Sequence, residues 1–256
     1  MTAVEGTPRA SRRARPPFVA IVGYTLRSCL PRRRWAGALV PCAAAVVFGL
    51  IARGLDATPA EDFAQVALVA LFALILPVTC LVVGDAVLGA EVRSGTFAFT
   101  WLSPVPRWQI AVGRWIAGSL VAGGCVAVSF AGAALAAGVP SSAGPVAVAG
   151  AFGALAYVAV FVAIGCIAQR AAVWSLAFVF LVERLLGAAL SGIAQLSPAW
   201  VARSAFLDLS SGPADLVREG IPQGTAALVR LLTIAAVGLI VASVRLAHLT
   251  LHGSAD

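Results

Sequence analysis

The segment FAQVALVALFALILPVTCLVVG, Phe63 to Gly84, carries no charged side chain over its 22 residues. A helix of about 20 apolar residues crosses the ~30 Å hydrocarbon core of a bilayer. Just before this segment, Thr58, Pro59 and Glu61 match a capping box with proline at the first helical position. The sequence therefore predicts a transmembrane helix with a defined start.

The rest of the 256-residue chain has the same character. Hydrophobic residues make up 61% of it, charged residues make up 11%, and the mean hydropathy is +0.97. A soluble globular domain carries roughly 25% charged residues, so this composition indicates an integral membrane protein. We expect an all-α integral membrane protein with six transmembrane helices, at residues 35–52, 63–84, 115–138, 145–168, 171–196 and 226–247.

All eighteen basic residues of the chain are arginines. Without lysine the chain cannot supply the phosphate-binding lysine of a P-loop or the amine of a Schiff base. The sequence also contains no recognisable Ser/His/Asp set, carboxylate pair or metal-ligand spacing, and its five cysteines are interpreted as small apolar fillers. We therefore expect no catalytic residue, no cofactor-binding residue and no metal ligand on this chain. If ATP drives the protein, another subunit binds it.

The arginines also predict the orientation of the chain, because cytoplasmic loops of membrane proteins are enriched in basic residues. Arg53, Arg203 and Arg218 fall on one side of the predicted spans, together with several acidic residues. Thirteen arginines fall on the other side: Arg9, Arg12, Arg13, Arg15, Arg27, Arg32, Arg33, Arg34, Arg93, Arg107, Arg114, Arg170 and Arg245. Both termini and residues 85–114 are therefore expected in the cytoplasm, where the net charge of +7 suits anionic lipid headgroups.

The residues before the first span divide into two parts. Residues 1–15 are polar and arginine-rich, and we expect them to be disordered. Residues 16–34 contain apolar side chains at helical spacing, which predicts an amphipathic helix at the inner membrane surface. A cytoplasmic extension of the first span is the alternative. At the other terminus, residues 248–256 are expected to form a cytoplasmic tail. The apolar face of the amphipathic helix consists of Phe18, Ile21, Val22, Thr25, Leu26 and Cys29.

Between the second and third spans lies DAVLGAEVRSGTFAFTWLSPVPRWQIAVGR, residues 85–114. A simple turn between two spans needs only a few polar residues, whereas this segment mixes charged residues with many apolar ones. The charged residues are Asp85, Glu91, Arg93, Arg107 and Arg114. This mixture predicts a cytoplasmic surface on which another protein acts.

Three motifs in this segment resemble a known family: Glu91-Val-Arg-Ser-Gly95-Thr96, Leu102-Ser-Pro104-Val-Pro-Arg107-Trp108 and Gly113-Arg114. In the permeases of type-2 ATP-binding cassette (ABC) transporters, a Glu, a Gly-Thr pair, a Pro-Val-(Ser/Pro)-Arg run and a Gly-(Lys/Arg) pair recur at closely this spacing. Elsewhere the resemblance rests on architecture. One departure is the pair Pro104 and Pro106, so the helix leading into the third span is expected to begin only at Pro106.

The resemblance implies a permease subunit in the bacterial cytoplasmic membrane, with a cytoplasmic coupling helix within residues 85–114 that docks on a separate ABC ATPase. ATP and Mg would be held by that ATPase, and two permeases, as a homodimer or with a similar second permease, would pair with two ATPases. Residues 197–223 would form a re-entrant or outer-leaflet element. The implied coupling residues are Asp85, Leu88, Glu91, Arg93, Gly95, Thr96 and Phe97, and the other family positions are Pro104, Arg107, Gly113 and Arg114.

Charged residues within the predicted spans are Glu183, Arg184 and Arg230. A charge inside the bilayer is costly and is usually retained for a reason. Glu183 and Arg230 fall at similar depths on the fifth and sixth spans, which predicts an interhelical ion pair. A polar lining of the transport path is the alternative.

The family often exports drugs, peptides or lipids, and the nearly all-apolar spans of this chain favour an amphipathic or lipidic substrate. The sequence is also compatible with two other classes of function. A proton-coupled secondary transporter would use Glu183 and need no partner. A structural or immunity-type membrane protein would keep the same topology and transport nothing.

Overall fold

The computed structural model describes residues 16–29, 35–55, 58–89, 105–167, 171–213 and 216–248. Every regular element among these residues is helical. The helices are α1 (Pro17–Cys29), α2 (Trp35–Arg53), α3 (Pro59–Val87), α4 (Arg107–Ala136), α5 (Ala143–Ile167), α6 (Ala171–Ala189), α7 (Ser191–Ala194), α8 (Pro198–Leu209) and α9 (Gly224–His248).

Five of these helices are long and apolar enough to cross a membrane, namely α3, α4, α5, α6 and α9. The chain is therefore an all-α, multi-pass membrane protein. The span predicted at residues 35–52 coincides with α2, which is helical over 19 residues. The part of α2 with described side chains, Val40–Arg53, is shorter than a full crossing, so a sixth span stays a prediction.

Two helix boundaries differ from those predicted. α6 ends at Ala189 and not at residue 196, because Leu190 has an extended backbone with φ −122° and ψ 115°. The single turn α7 follows, and Ser197 then caps α8. α4 begins at Arg107 with Pro106 as its N-cap, earlier than residue 115 and at the position that the two prolines predict.

Two of the spanning helices widen into π-helix, α3 at Ala67–Ile75 and α6 at Phe178–Leu186. In a π-helix each amide bonds to the carbonyl five residues earlier, and such turns occur frequently at functional positions. Pro77 follows the π-helical stretch of α3 and has no amide hydrogen, so it cannot donate to the carbonyl of Ala73 four residues earlier. The middle of α3 therefore departs from regular helical hydrogen bonding.

α5 lies at the centre of the bundle, where it contacts α3, α4, α8 and α9. Beside it, Phe72 meets Phe130 and Phe206 with ring centroids 5.3 and 5.6 Å apart. Phe63 meets Phe206 edge to face at 6.2 Å. This aromatic cluster joins α3, α4 and α8. α8 has 12 residues and is about 18 Å long, too short to cross a bilayer.

The amphipathic pattern of α1 agrees with its packing. All six residues of the predicted apolar face are buried or half-buried, whereas Val19 and Tyr24 on the opposite side are exposed. The helix ends at Cys29, and its main partner is α4.

α2 approaches α4 closely because Gly49 has no side chain. A Cβ atom at position 49 would lie 2.8 Å from the carbonyl carbon of Ala133 and 2.9 Å from its Cα. These separations are shorter than any ordinary van der Waals contact. Small residues at such crossings are typical of helix pairs in membranes.

We expect Gly49→Ala to destabilise the folded protein by about 1–3 kcal/mol, because the added methyl group pushes α2 away from α4. Gly124→Ala is the matched control, since a Cβ atom there meets nothing within 4 Å. Thermal unfolding of both purified variants in one detergent measures the difference. Equal melting temperatures for the two variants would contradict the close α2–α4 contact.

Candidate functional site

Most residues implied in coupling lie outside the described residues: Glu91, Arg93, Gly95, Thr96 and Phe97, together with the family position Pro104. Leu88 is described in its backbone alone, within the π-turn Asp85–Gly89 that continues α3. The structure places the remaining four positions, Asp85, Arg107, Gly113 and Arg114.

Arg114 is only 1% exposed, the largest fully buried side chain described. Its Nη1 donates a hydrogen bond to the carbonyl of Val87 at 3.0 Å. This bond joins the second turn of α4 to the last turn of α3. The arginine of the Gly-Arg motif therefore ties together the two helices that flank residues 90–104.

Gly113 and Arg107 attach two further helices to the same end of the bundle. A Cβ atom at Gly113 would lie 3.1 Å from the Cγ2 of Ile21 and 3.6 Å from the ring of Phe18, so the glycine lets α1 cross α4. Arg107 Nη1 donates to the carbonyl of Ala247 at 3.1 Å. Basic side chains favour such carbonyls at helix C-termini.

Asp85 lies near this end too, half-buried where α3 passes α5 and α6. Its neighbours around a small cavity include Phe161, Gly165 and Ser175. The four described family or coupling positions thus occupy one end of the bundle, where α1, α3, α4 and α9 meet.

The second polar centre surrounds Glu183, in the π-helical part of α6. Its side chain is 3% exposed, and its carboxyl oxygens accept hydrogen bonds from the hydroxyls of Tyr157 and Ser197, the latter at 2.7 Å. The backbone amide of Ala199 lies near the same carboxyl group. Because Ser197 is the N-cap of α8, the carboxyl group lies at a helix N-terminus, where negative charge is favoured.

The predicted ion pair between Glu183 and Arg230 is wrong. Across the described side chains no nitrogen of Arg230 comes within hydrogen-bond or ion-pair distance of Glu183, whose oxygens are held by α5 and α8 instead. The prediction assumed a straight fifth span up to residue 196. The chain breaks at Leu190, and α8 folds back so that its first turn reaches Glu183.

Arg184, the next residue, is exposed and points from α6 towards α3. Its Nη2 donates to the carbonyl of Ala73 at 2.9 Å. That carbonyl is the one to which Pro77 cannot donate. The two π-helical stretches of α3 and α6 are therefore joined by a hydrogen bond from one to the other.

Trp200 connects Glu183 to two further arginines. Its Nε1 donates to the backbone carbonyl of Glu183 at 3.3 Å. The guanidinium carbons of Arg203 and Arg218 lie 4.6 and 4.8 Å from the centre of its ring, which is cation–π geometry. Arg218 also donates to the carbonyls of Gly187 and Ala188, at 2.7 and 3.0 Å, and so caps the last turn of α6.

The sequence did not indicate the roles of three residues at this centre: Tyr157, Ser197 and Trp200. A signal for Tyr157 was present, because a tyrosine inside an apolar span needs a partner for its hydroxyl. Ser197-Pro198 is a helix-start pattern, but nothing in the sequence indicates that the cap also donates to Glu183.

Compared with known proteins, the chain matches no family model and no curated protein. The resemblance carried by residues 85–114 is therefore the argument for a family.

Proposed function

We propose that this chain is the permease subunit of an ABC transporter that exports an amphipathic or lipidic substrate. A separate ATPase, which binds ATP and Mg, docks on residues 85–114. In this proposal α2 is the sixth span, so both termini and the docking segment face the cytoplasm of a bacterial cell. The observation that carries the proposal is the motif-bearing segment itself, inserted between two spanning helices.

The proposal is supported by the way the two ends of the segment are attached. Residues 85–89 continue α3, and residues 107–114 are the first turns of α4. The hydrogen bond from Arg114 to Val87 holds these two ends together. A force on residues 90–104 is thereby passed to both helices at once.

The same end of the bundle includes α1 and α9, held through Gly113 and Arg107. When two ATPases close on ATP, they push the docking segments of two permeases, and the attached helices tilt as one unit. Charged contacts come from Asp85, Glu91 and Arg93, while apolar anchors such as Leu88 and Phe97 supply buried contact area. The tilt changes the access of the central path.

The direct test is whether the chain binds a separate ATPase and depends on it for ATP hydrolysis. Purified alone, the chain should hydrolyse no ATP, because it has no lysine and therefore no P-loop lysine. Co-expressed with an ATPase encoded beside it, it should copurify with that ATPase in mild detergent and support hydrolysis. ATP hydrolysis by the isolated chain, or the absence of any copurifying ATPase, would contradict the proposal.

Glu91→Ala tests the docking segment. We expect the variant to insert and melt like the wild type but to lose ATPase binding or transport by about tenfold or more, the effect of removing an interface hot spot. The matched control is Glu61→Ala, which removes an exposed carboxylate from the opposite end of α3. Wild-type assembly and transport by the Glu91 variant would remove this residue from the mechanism.

A further inference from the structure

Three arginines gather where α6 ends and α8 begins, namely Arg184, Arg203 and Arg218. Arg203 and Arg218 share the ring of Trp200. Burial, and secondly the positive charge of Arg184, lower the pKa of Arg203 to about 10. The guanidinium group of Arg203 is therefore still protonated at neutral pH, and it is repelled by that of Arg184.

The described residues do not neutralise this cluster. None of the three arginines forms an ion pair with any described carboxylate. Glu183 attracts Arg203, but its oxygens already accept from Tyr157 and Ser197. The Nε of Arg203 is buried and finds no hydrogen-bond acceptor within the described part of the chain. A bound anion would satisfy the buried N–H donor and would also neutralise the excess of positive charge.

Two hollows adjoin the cluster. A cavity of about 40 Å³ is lined by both polar and apolar side chains, among them Arg203, Ser204 and Arg218, with Leu68 of α3 in its wall. A groove of similar volume runs between α3 and α6. Apart from Arg184 at its edge, the groove is apolar and is lined by side chains that include Leu74, Pro77, Val78, Leu81 and Phe180. Along α3 the cavity thus lies at Leu68, and the groove lies further into the span.

We propose that the three arginines bind the phosphate of an anionic glycerophospholipid, with one acyl chain in the groove between α3 and α6. Guanidinium groups bind phosphate oxygens through charge-assisted hydrogen bonds. Arg184 lies five residues before the end of α6 at Ala189, about 8 Å along the helix, which is within reach of the headgroup region for a long side chain. Trp200 belongs at that same depth.

A membrane lipid explains the site better than a soluble phosphate ion does. The groove beside Arg184 is apolar and opens on the surface of two spanning helices, where acyl chains are the available ligand. A soluble anion would leave that groove unused. This inference concerns the isolated chain and does not depend on an ATPase partner, so its failure would leave the proposed function untouched.

The experiment uses the full chain, delipidated in detergent and titrated with dioctanoyl phosphatidylglycerol or dioctanoyl phosphatidylcholine. Native mass spectrometry gives the dissociation constant of the first bound lipid, and thermal unfolding gives an independent measure of binding. The wild type should bind the anionic lipid about tenfold more tightly than the zwitterionic one. Equal binding of the two lipids would overturn the proposal.

Arg203→Gln should reduce the affinity for phosphatidylglycerol about tenfold, to the level of phosphatidylcholine. Arg184→Gln should do the same, and it decides the question if the first variant does not fold. The matched control is Arg230→Gln, which removes an arginine from α9 outside both hollows and should bind like the wild type. An equal loss in the control would show that net charge alone is responsible and would overturn the site.

A final titration distinguishes a lipid ligand from a soluble anion. Inorganic phosphate and glycerol phosphate are titrated against the wild type under the same conditions. Neither should displace phosphatidylglycerol at equal concentration, because neither has an acyl chain for the groove. Displacement by inorganic phosphate with the same affinity would assign the cluster to a soluble anion, and the proposed lipid site would be wrong.

Discussion

Glu183→Ala is expected to destabilise the folded protein by about 3 kcal/mol, because two buried donors lose their acceptor together. These donors are the hydroxyls of Tyr157 and Ser197. Glu183→Gln should cost clearly less, since its amide oxygen still accepts a hydrogen bond. Thermal or denaturant unfolding in one detergent measures both variants.

Arg230→Gln is the control that separates this network from an ion pair. It should change stability by no more than about 0.5 kcal/mol, as most substitutions outside buried networks do. It should also give no rescue when combined with Glu183→Gln. Tyr157→Phe, in contrast, should show a coupling energy with Glu183→Gln of about 0.5–3 kcal/mol in a double-mutant cycle.

The same variants test the rival function. A proton-coupling carboxylate predicts that Glu183→Gln melts like the wild type while a pH gradient no longer drives transport. If that result is obtained, the structural role of Glu183 is wrong and the secondary-transporter alternative gains the support that the geometry does not give it.

Arg114→Met is the second variant expected to have a large effect. Methionine fills part of the same volume but leaves the carbonyl of Val87 without the donor that joins α3 to α4. We expect a loss of about 2–4 kcal/mol, the range for breaking a buried polar contact and disturbing its packing. In the ABC transporter that we propose, this variant should also transport less substrate per ATP hydrolysed.

Arg107→Met is its matched control, because it alters another arginine of the same motif region on the same helix. Arg107 is exposed, and exposed interactions of this kind contribute about 0–1 kcal/mol. The comparison is made by thermal unfolding of both variants. If both variants lose a similar amount of stability, the burial of Arg114 does not explain its contribution to stability.

Composition and apolar run length predicted an all-α membrane protein, and the five long apolar helices confirm that class. A proline also predicted a local helix start, at Pro106 before α4. These signals act within a few residues of chain, so they can be interpreted without knowing how the helices pack.

Contacts around Glu183 could not be predicted in the same way. Its partners come from α5 and from the first turn of α8, and their approach depends on the break at Leu190, an apolar residue with no punctuation at its own position. The ion pair with Arg230 was inferred from depth along straight helices. Depth cannot determine which face of each helix points at its neighbour, and the π-helical stretch of α6 shifts those faces further.

The π-helical stretches of α3 and α6 give these two helices room to lose a residue. A π-turn holds about one residue more than an α-turn, so a single-residue deletion within Ala67–Ile75 can be absorbed by a return to regular α-helical geometry, with little rotation of the helix on either side. A deletion in an α-helical part of α3 cannot be absorbed in this way and rotates one side of the helix relative to the other by about 100°, which would turn the carbonyl of Ala73 away from Arg184. A library of single-residue deletions should therefore be tolerated better within the π-helical stretches than in the α-helical parts of the same two helices.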